Sequence, residues 1–327
     1  MSSAPRLSRV SGVVPPEGAR DGQLLKGASM PVKLANFVKL PHTVFAMPFA
    51  LVGVLFASTV VPVTLGVVLW VVVAFTSVRF AAMAFNRVVD RDVDALNPRT
   101  AMREMPQGTI TLAQARTSVI ATSALFVFAT WKLNPLVFAL SPITLLWVLG
   151  YSYSKRFTRW SHLWLGLGLS IAPVGGYLAV TGAWSRPWWL LSVLSLAVVF
   201  WSGGFDVIYA LQDEEFDRLH GLHSVPARFG VAGAVRISRV LHVLAVLCFA
   251  AVVAAHPLGH DVPAAVTAVL WLAVAGVMFM LLWEHRLVRA NDLRRVDAAF
   301  FMMNGIISLG FLFMIFIARL LKGVLAG

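Results

Sequence analysis

The sequence predicts an all-α integral membrane protein with nine transmembrane helices. The class rests on composition, apolar runs and charge placement. Of 327 residues, 59% are hydrophobic and only 13% charged, where a soluble domain carries about a quarter charged residues. Mean hydropathy is +0.80. The apolar residues fall in runs of roughly 17 to 25, long enough for a helix to cross a bilayer and too long for barrel strands. Basic residues sit between these runs, so the net charge of +12 reflects membrane topology and implies no nucleic acid.

The spans read as about 42–60, 62–84, 117–133, 135–151, 162–182, 187–209, 237–256, 263–283 and 299–320, with ends good to a few residues. Pro62, Pro135, Pro187 and Pro263 mark the joints, where turns and helix starts tolerate proline. Residues 1–32 hold several Pro, Gly and Ser and no apolar core. They read as a flexible cytoplasmic tail rather than a signal peptide, leaving 33–327 as the transmembrane domain. The single cysteine, Cys248, permits no intrachain disulfide. Nothing in the sequence signals an oligomeric state.

Lys and Arg placement orients the chain. Of 27 such residues, 22 lie in the N-terminal tail and in the loops after spans two, four, six and eight. Four lie on the other side, and Arg79 lies within a span. The bias places the N-terminus and those loops in the cytoplasm, and nine spans then leave the C-terminus outside.

The chemistry-bearing stretches fall on that same side. NRVVDRDVD, from Asn86 to Asp94, closes an apolar run and opens an arginine-rich loop. Asn86, Asp90 and Asp94 are four apart and stack on one helix face, which continues back through Met83 to Arg79. Downstream, Asp206, Tyr209, Asp213 and Asp217 follow at steps of three, four and four. Groups of this kind are costly to bury in lipid and face polar cavities. Two facing acidic stripes form an oxygen-ligand cage for a hard divalent cation, and carboxylates joined by Mg²⁺ hold diphosphates. Both stripes run from an apolar helix through paired acids to a basic loop, which hints at an internal pseudo-repeat.

Lys155, Arg87, Arg91, Arg99 and Arg103 can reach phosphate oxygens, whereas Arg116, Arg156 and Arg159 read as topological. In YSYSKRF, Tyr151 and Lys155 are again four apart. Asp206 lies deeper along its stripe than Asp213.

Together these residues resemble the UbiA superfamily of intramembrane aromatic prenyltransferases, over nearly everything from about residue 33 onward. Asn86, Asp90 and Asp94 match its first signature. Asp213 and Asp217, preceded by Asp206 and Tyr209, match its second, and Tyr151 and Lys155 match its Tyr-x-x-x-Lys. NPRTAMREMPQG is similar to the loop after its first signature. The resemblance implies a nine-helix bundle open to the cytoplasm and to lipid. It implies Asp90, Asp94, Asp213 and Asp217 as holders of Mg²⁺ and of a polyprenyl diphosphate. Asp206, Lys155, Tyr151 and Tyr209 are the expected catalytic residues. Arg79, Asn86, Arg87, Arg99, Arg103 and His42 are the expected substrate-binding residues.

KLPHTVFAMPFALVG resembles the first helix of bacterial 4-hydroxybenzoate prenyltransferase-like members, including those of the futalosine route to menaquinone. It departs from the opening typical of ubiquinone-pathway enzymes, with His42 and Phe45 in its place. The expected activity is Mg-dependent transfer of a polyprenyl group to an aromatic hydroxy acid, in the inner membrane of a bacterium. The alternative reading is an ion-coupled transporter of an anion, which intramembrane Asp and Arg also suit. Against it, the acids gather at helix ends rather than at the midplane.

Overall fold

A computed structural model describes residues 29–39, 46–255, 258, 262–288 and 302–325. The expected substrate residue His42, and residues 1–28 of the expected tail, lie outside the described residues. Among the described residues every regular element is helical.

A short helix α1 (Met30–Phe37) precedes the bundle. Then follow α2 (Met47–Ala57), α3 (Leu65–Leu96), α4 (Leu112–Leu133), α5 (Pro135–Gly150), α6 (Ser161–Thr181) and α7 (Trp189–Tyr209). Next come a six-residue α8 (Glu214–Leu219), α9 (Val225–Ala254), α10 (Ala264–Leu287) and α11 (Asn304–Leu325). Eight of these elements are long and apolar enough to cross a membrane, and the protein is a multi-pass membrane protein. The expected first span is the exception, because its described helix, α2, has only 11 residues.

Sequence punctuation explains the joints. Thr111 and Gln114 form a reciprocal capping box at the start of α4, satisfying two donors that a helix start leaves unpaired. Asn134 caps α5 ahead of Pro135 and also donates to the carbonyls of Leu178 and Ala179, which ties the α4–α5 turn to the end of α6. Ser224 caps α9 ahead of Pro226.

Three elements differ from the sequence expectation. The helix carrying Asn86–Asp94 runs on to Leu96, so that stretch lies entirely on a helix rather than opening a loop. The helix of span six, α7, stops at Tyr209 as expected, but a 3₁₀ turn (Ala210–Asp213) separates it from α8 and interrupts the expected single face from Asp206 to Asp217. The second acidic stripe is therefore carried by a broken helix. Finally α9 starts at Val225 and carries a non-helical Gly230 at φ 67°, a conformation glycine adopts without strain.

Two rings of helices share α2 and α6. One comprises α2, α3, α4, α5 and α6; the other runs through α6, α7, α9, α10 and α11 back to α2. Where α2 meets α6 there is no room for side chains: a Cβ on Gly176 would strike the Ala50 carbonyl, and one on Gly53 would strike that of Pro173. Close backbone approach of this kind drives helix association in lipid, where burial from water does not. Next to it, Phe49 packs on Trp201 at 5.0 Å between ring centroids and on Phe249 and Phe311, each at 5.9 Å. Outward faces are apolar, with Leu146 74% and Ile120 68% exposed, as a lipid-facing surface requires.

Candidate active site

At one end of the bundle α3, the end of α5, α6, α7 and the turns that follow them enclose a cavity of about 350 Å³. Its deeper wall is apolar, including Phe75, Val78, Leu165, Leu169 and Phe205. Trp147 and Trp164 stack at 4.7 Å along its side, held by reciprocal indole-to-carbonyl hydrogen bonds. Its mouth is ionic. Five acids line it, Asp90, Asp94, Asp206, Asp213 and Asp217, against seven bases, Lys39, Arg79, Arg87, Arg99, Arg103, Lys155 and Arg156. The excess of cations suits an anionic ligand.

Each expected metal-binding carboxylate is paired with its own partner. Asp90 accepts from the Asn86 amide at 2.7 Å and lies 3.7 Å from Arg156. Asp94 binds Arg103 at 2.7 Å, with Arg87 at 3.9 Å. Asp213 is clamped by Arg99 through two bonds of 2.9 and 2.6 Å, and accepts from the Asn97 amide at 3.0 Å. Asp217 lies 3.3 Å from the Lys155 ammonium. Burial opposes the charge of Arg99, but Asp213 and Tyr209 outweigh it and hold its pKa above the ordinary arginine value.

Among the described residues no three acids, histidines or cysteines converge as a metal cluster, so the expected cage is not preformed. The donor set still suits a hard cation, being all carboxylate without thiolate. Mg²⁺ in particular is usually held by one or two carboxylates plus substrate phosphates. Paired carboxylates on two walls of one cavity fit that habit.

Every expected site residue that the structure describes lines the cavity. Tyr209 accepts from Arg99 at 3.1 Å and lies beneath its guanidinium. Tyr151 and Lys155 both face the cavity, but on a 3₁₀ turn (Tyr151–Arg156), whose three-residue repeat does not align positions four apart. Arg87 and Arg79 donate to the carbonyls of Phe37 and Val38, tying the end of α1 to α3. Arg91 does not reach the site, pairing instead with exposed Asp92.

Sequence reasoning missed three residues. Arg156 lines the cavity and donates to the Val89 carbonyl at 2.9 Å; its adjacency to Lys155 was the available signal. Asn97, the C-cap of α3, binds Asp213. Buried His162 bonds Asp206 at 2.7 Å, and a lone histidine opening an apolar helix carries no local signal.

The model of the UbiA prenyltransferase family matches residues 46–306. The chain belongs to that family. A 4-hydroxybenzoate octaprenyltransferase from Methylobacillus flagellatus is 32% identical over 50% of this chain and 55% of its own length. The chain thus spans about half the length of that curated relative. One of the same name from Alkalilimnicola ehrlichii is 28% identical over 85% of this chain and 89% of its own. Among solved structures, a UbiA homolog from Aeropyrum pernix K1 superposes with TM-score 0.72 at 33% identity, covering 86% of this chain and 98% of that one. A UbiA homolog from Archaeoglobus fulgidus bound to GPP and Mg²⁺ shares the fold at TM-score 0.69 and 21% identity, over 88% of this chain and 99% of that one.

Proposed function

We propose that this UbiA-family chain transfers a polyprenyl group from a polyprenyl diphosphate to an aromatic hydroxy acid, with Mg²⁺. The acceptor is 4-hydroxybenzoate or a close analogue such as the dihydroxynaphthoate of menaquinone synthesis. The observation that carries the reading is one cavity with an ionic mouth and an apolar depth, matching the two halves of a prenyl diphosphate. The names of the curated relatives and the GPP and Mg²⁺ bound by the Archaeoglobus homolog support it.

Asp90, Asp94, Asp213 and Asp217 would hold Mg²⁺, which would supply charge neutralisation for the departing diphosphate. Lys155, Arg99, Arg103 and Arg156 add hydrogen-bond donors for its oxygens, exchanging their present carboxylate partners for phosphate. The allylic C–O bond breaks, diphosphate leaves with the electron pair, and the ring carbon beside the phenol forms the new C–C bond. One proton leaves the acceptor as aromaticity returns. Asp206, beside the apolar depth, accepts the phenolic proton, raising electron density on the ring, and returns it to the oxygen once the ring carbon has lost its own proton. Arg79 pairs with the acceptor carboxylate, and Phe75, Leu165 and Phe205 keep water from the cationic carbon. Residues 33–327 form the catalytic domain, in a bacterial inner membrane with the N-terminus cytoplasmic, in keeping with the distribution of basic residues.

Purified protein offered a prenyl diphosphate, Mg²⁺ and both acceptors should release diphosphate and yield a prenylated acid by mass spectrometry. Uptake of a substrate anion into proteoliposomes without any diphosphate release would overturn the reading in favour of transport.

A further inference from the structure

His162 opens α6 as its second residue and is 1% exposed. Its Nδ1 lies 2.7 Å from the Asp206 carboxylate. Its Nε2 lies 3.3 Å from the backbone N–H of Val225, the first residue of α9. A backbone N–H can only donate, so Nε2 presents its lone pair and the ring proton resides on Nδ1. The imidazole therefore donates to Asp206, and both of its nitrogens are committed.

The packing explains why the ring sits there. His162, Gly166 and Ser170 are four apart and share one face of α6. A Cβ on Gly166 would lie 2.6 Å from the Val199 carbonyl of α7. A Cβ on Gly203 would lie 3.5 Å from the His162 carbonyl. Small residues on both helices thus bring α6 against α7 and seat the histidine beside Asp206. On its far side the start of α9 is fixed by Ser224, whose fully buried side chain accepts from the Ala227 N–H.

We propose that His162 is a positioning residue for Asp206. It fixes one carboxylate oxygen against the wall, leaving the other to meet the acceptor in the cavity. It is not a proton relay, because Nδ1 already carries a proton and Nε2 faces a donor. The inference rests on the assignment of Asp206 as proton acceptor.

The experiment compares full-length His162→Phe, His162→Asn, His162→Gln, Asp206→Asn and the double variant His162→Phe/Asp206→Asn, with geranyl diphosphate, Mg²⁺ and 4-hydroxybenzoate. Asn places its amide nitrogen near the Nδ1 position, whereas Gln places it near Nε2. His162→Phe should lower kcat roughly ten- to a hundred-fold, as loss of a supporting partner does, with KM for geranyl diphosphate unchanged. His162→Asn should recover most of the rate and His162→Gln should not. In the Asp206→Asn background, His162→Phe should add no further loss. Wild-type kcat in His162→Phe, an additive loss in the double variant, or equal rates for the Asn and Gln variants would overturn the proposal. The Asn–Gln comparison decides it even if the Phe variant fails to fold. Full activity in Asp206→Asn would instead remove the assignment on which the inference stands.

Discussion

Asp213 shows how a single carboxylate can hold a site together. Arg99 meets it with two nitrogens at once, and Asn97 adds a third bond. The planar guanidinium matches both carboxylate oxygens, a match that a lysine's point charge lacks. Arg99→Lys should therefore keep the charge and still lower kcat/KM for the prenyl diphosphate by roughly tenfold or more, since charge-assisted bonds contribute about 1.5–3 kcal/mol each; an unchanged kcat/KM would remove Arg99 from the diphosphate site. The carboxylates make a sharper prediction. Asp90→Ala and Asp213→Ala should each abolish turnover while the protein still inserts and elutes as a folded species. Near wild-type activity of either variant at limiting Mg²⁺ would rule out the assigned metal ligands.

At the scale of elements, the contact of α2 with α6 sets where the cavity lies, because α6 contributes Trp164, Leu165 and Leu169 to its wall. That contact depends on the missing side chain of Gly176. Gly176→Ala forces a methyl into the Ala50 carbonyl and should destabilise the bundle by about 1–3 kcal/mol, the usual cost of overpacking. It would be read as a lower unfolding temperature in detergent. The adjacent Gly175 has open space around its would-be Cβ. Gly175→Ala should leave the unfolding temperature unchanged or raise it slightly, since alanine favours helix. Equal behaviour of the two variants would show that the α2–α6 approach is not tight. At the same scale, α3 outlasts the apolar run that defines it. Its last three turns carry the first acidic stripe, so the rigid helix that packs on α4 also aims Asp90 and Asp94.

For the whole molecule, the open quantity is how the chain crosses the bilayer. Helix α2 spans about 16 Å at 1.5 Å per residue, short of a hydrocarbon core of about 30 Å. Reporters inserted near Glu104 and near His220 should read as cytoplasmic, and one fused after Gly327 as external, because of the 22-to-4 distribution of basic residues. A cytoplasmic C-terminus would remove one crossing, and α2 would be the first element to reassign.

Much of this protein is legible in one dimension. Apolar run length places the membrane-crossing cores of the long helices, though not the ends of α3 and α9, because lipid leaves the backbone no other partner than itself. Asn86, Asp90 and Asp94 announce themselves by helical spacing, since α3 is a regular helix through all three. The second stripe kept its residues but lost its register: the 3₁₀ turn from Ala210 to Asp213 interrupts the helix, and spacing cannot foresee a change of winding. What only tertiary structure decided is the pairing. Asp213 with Arg99, Asp94 with Arg103, Asp217 with Lys155 and Asp206 with His162 join positions 9 to 114 residues apart. Spacing along a helix reports which side chains share a face. Which faces meet depends on where backbones can approach, and in this bundle that is set by glycines on α2, α6 and α7 that carry no chemical signal of their own.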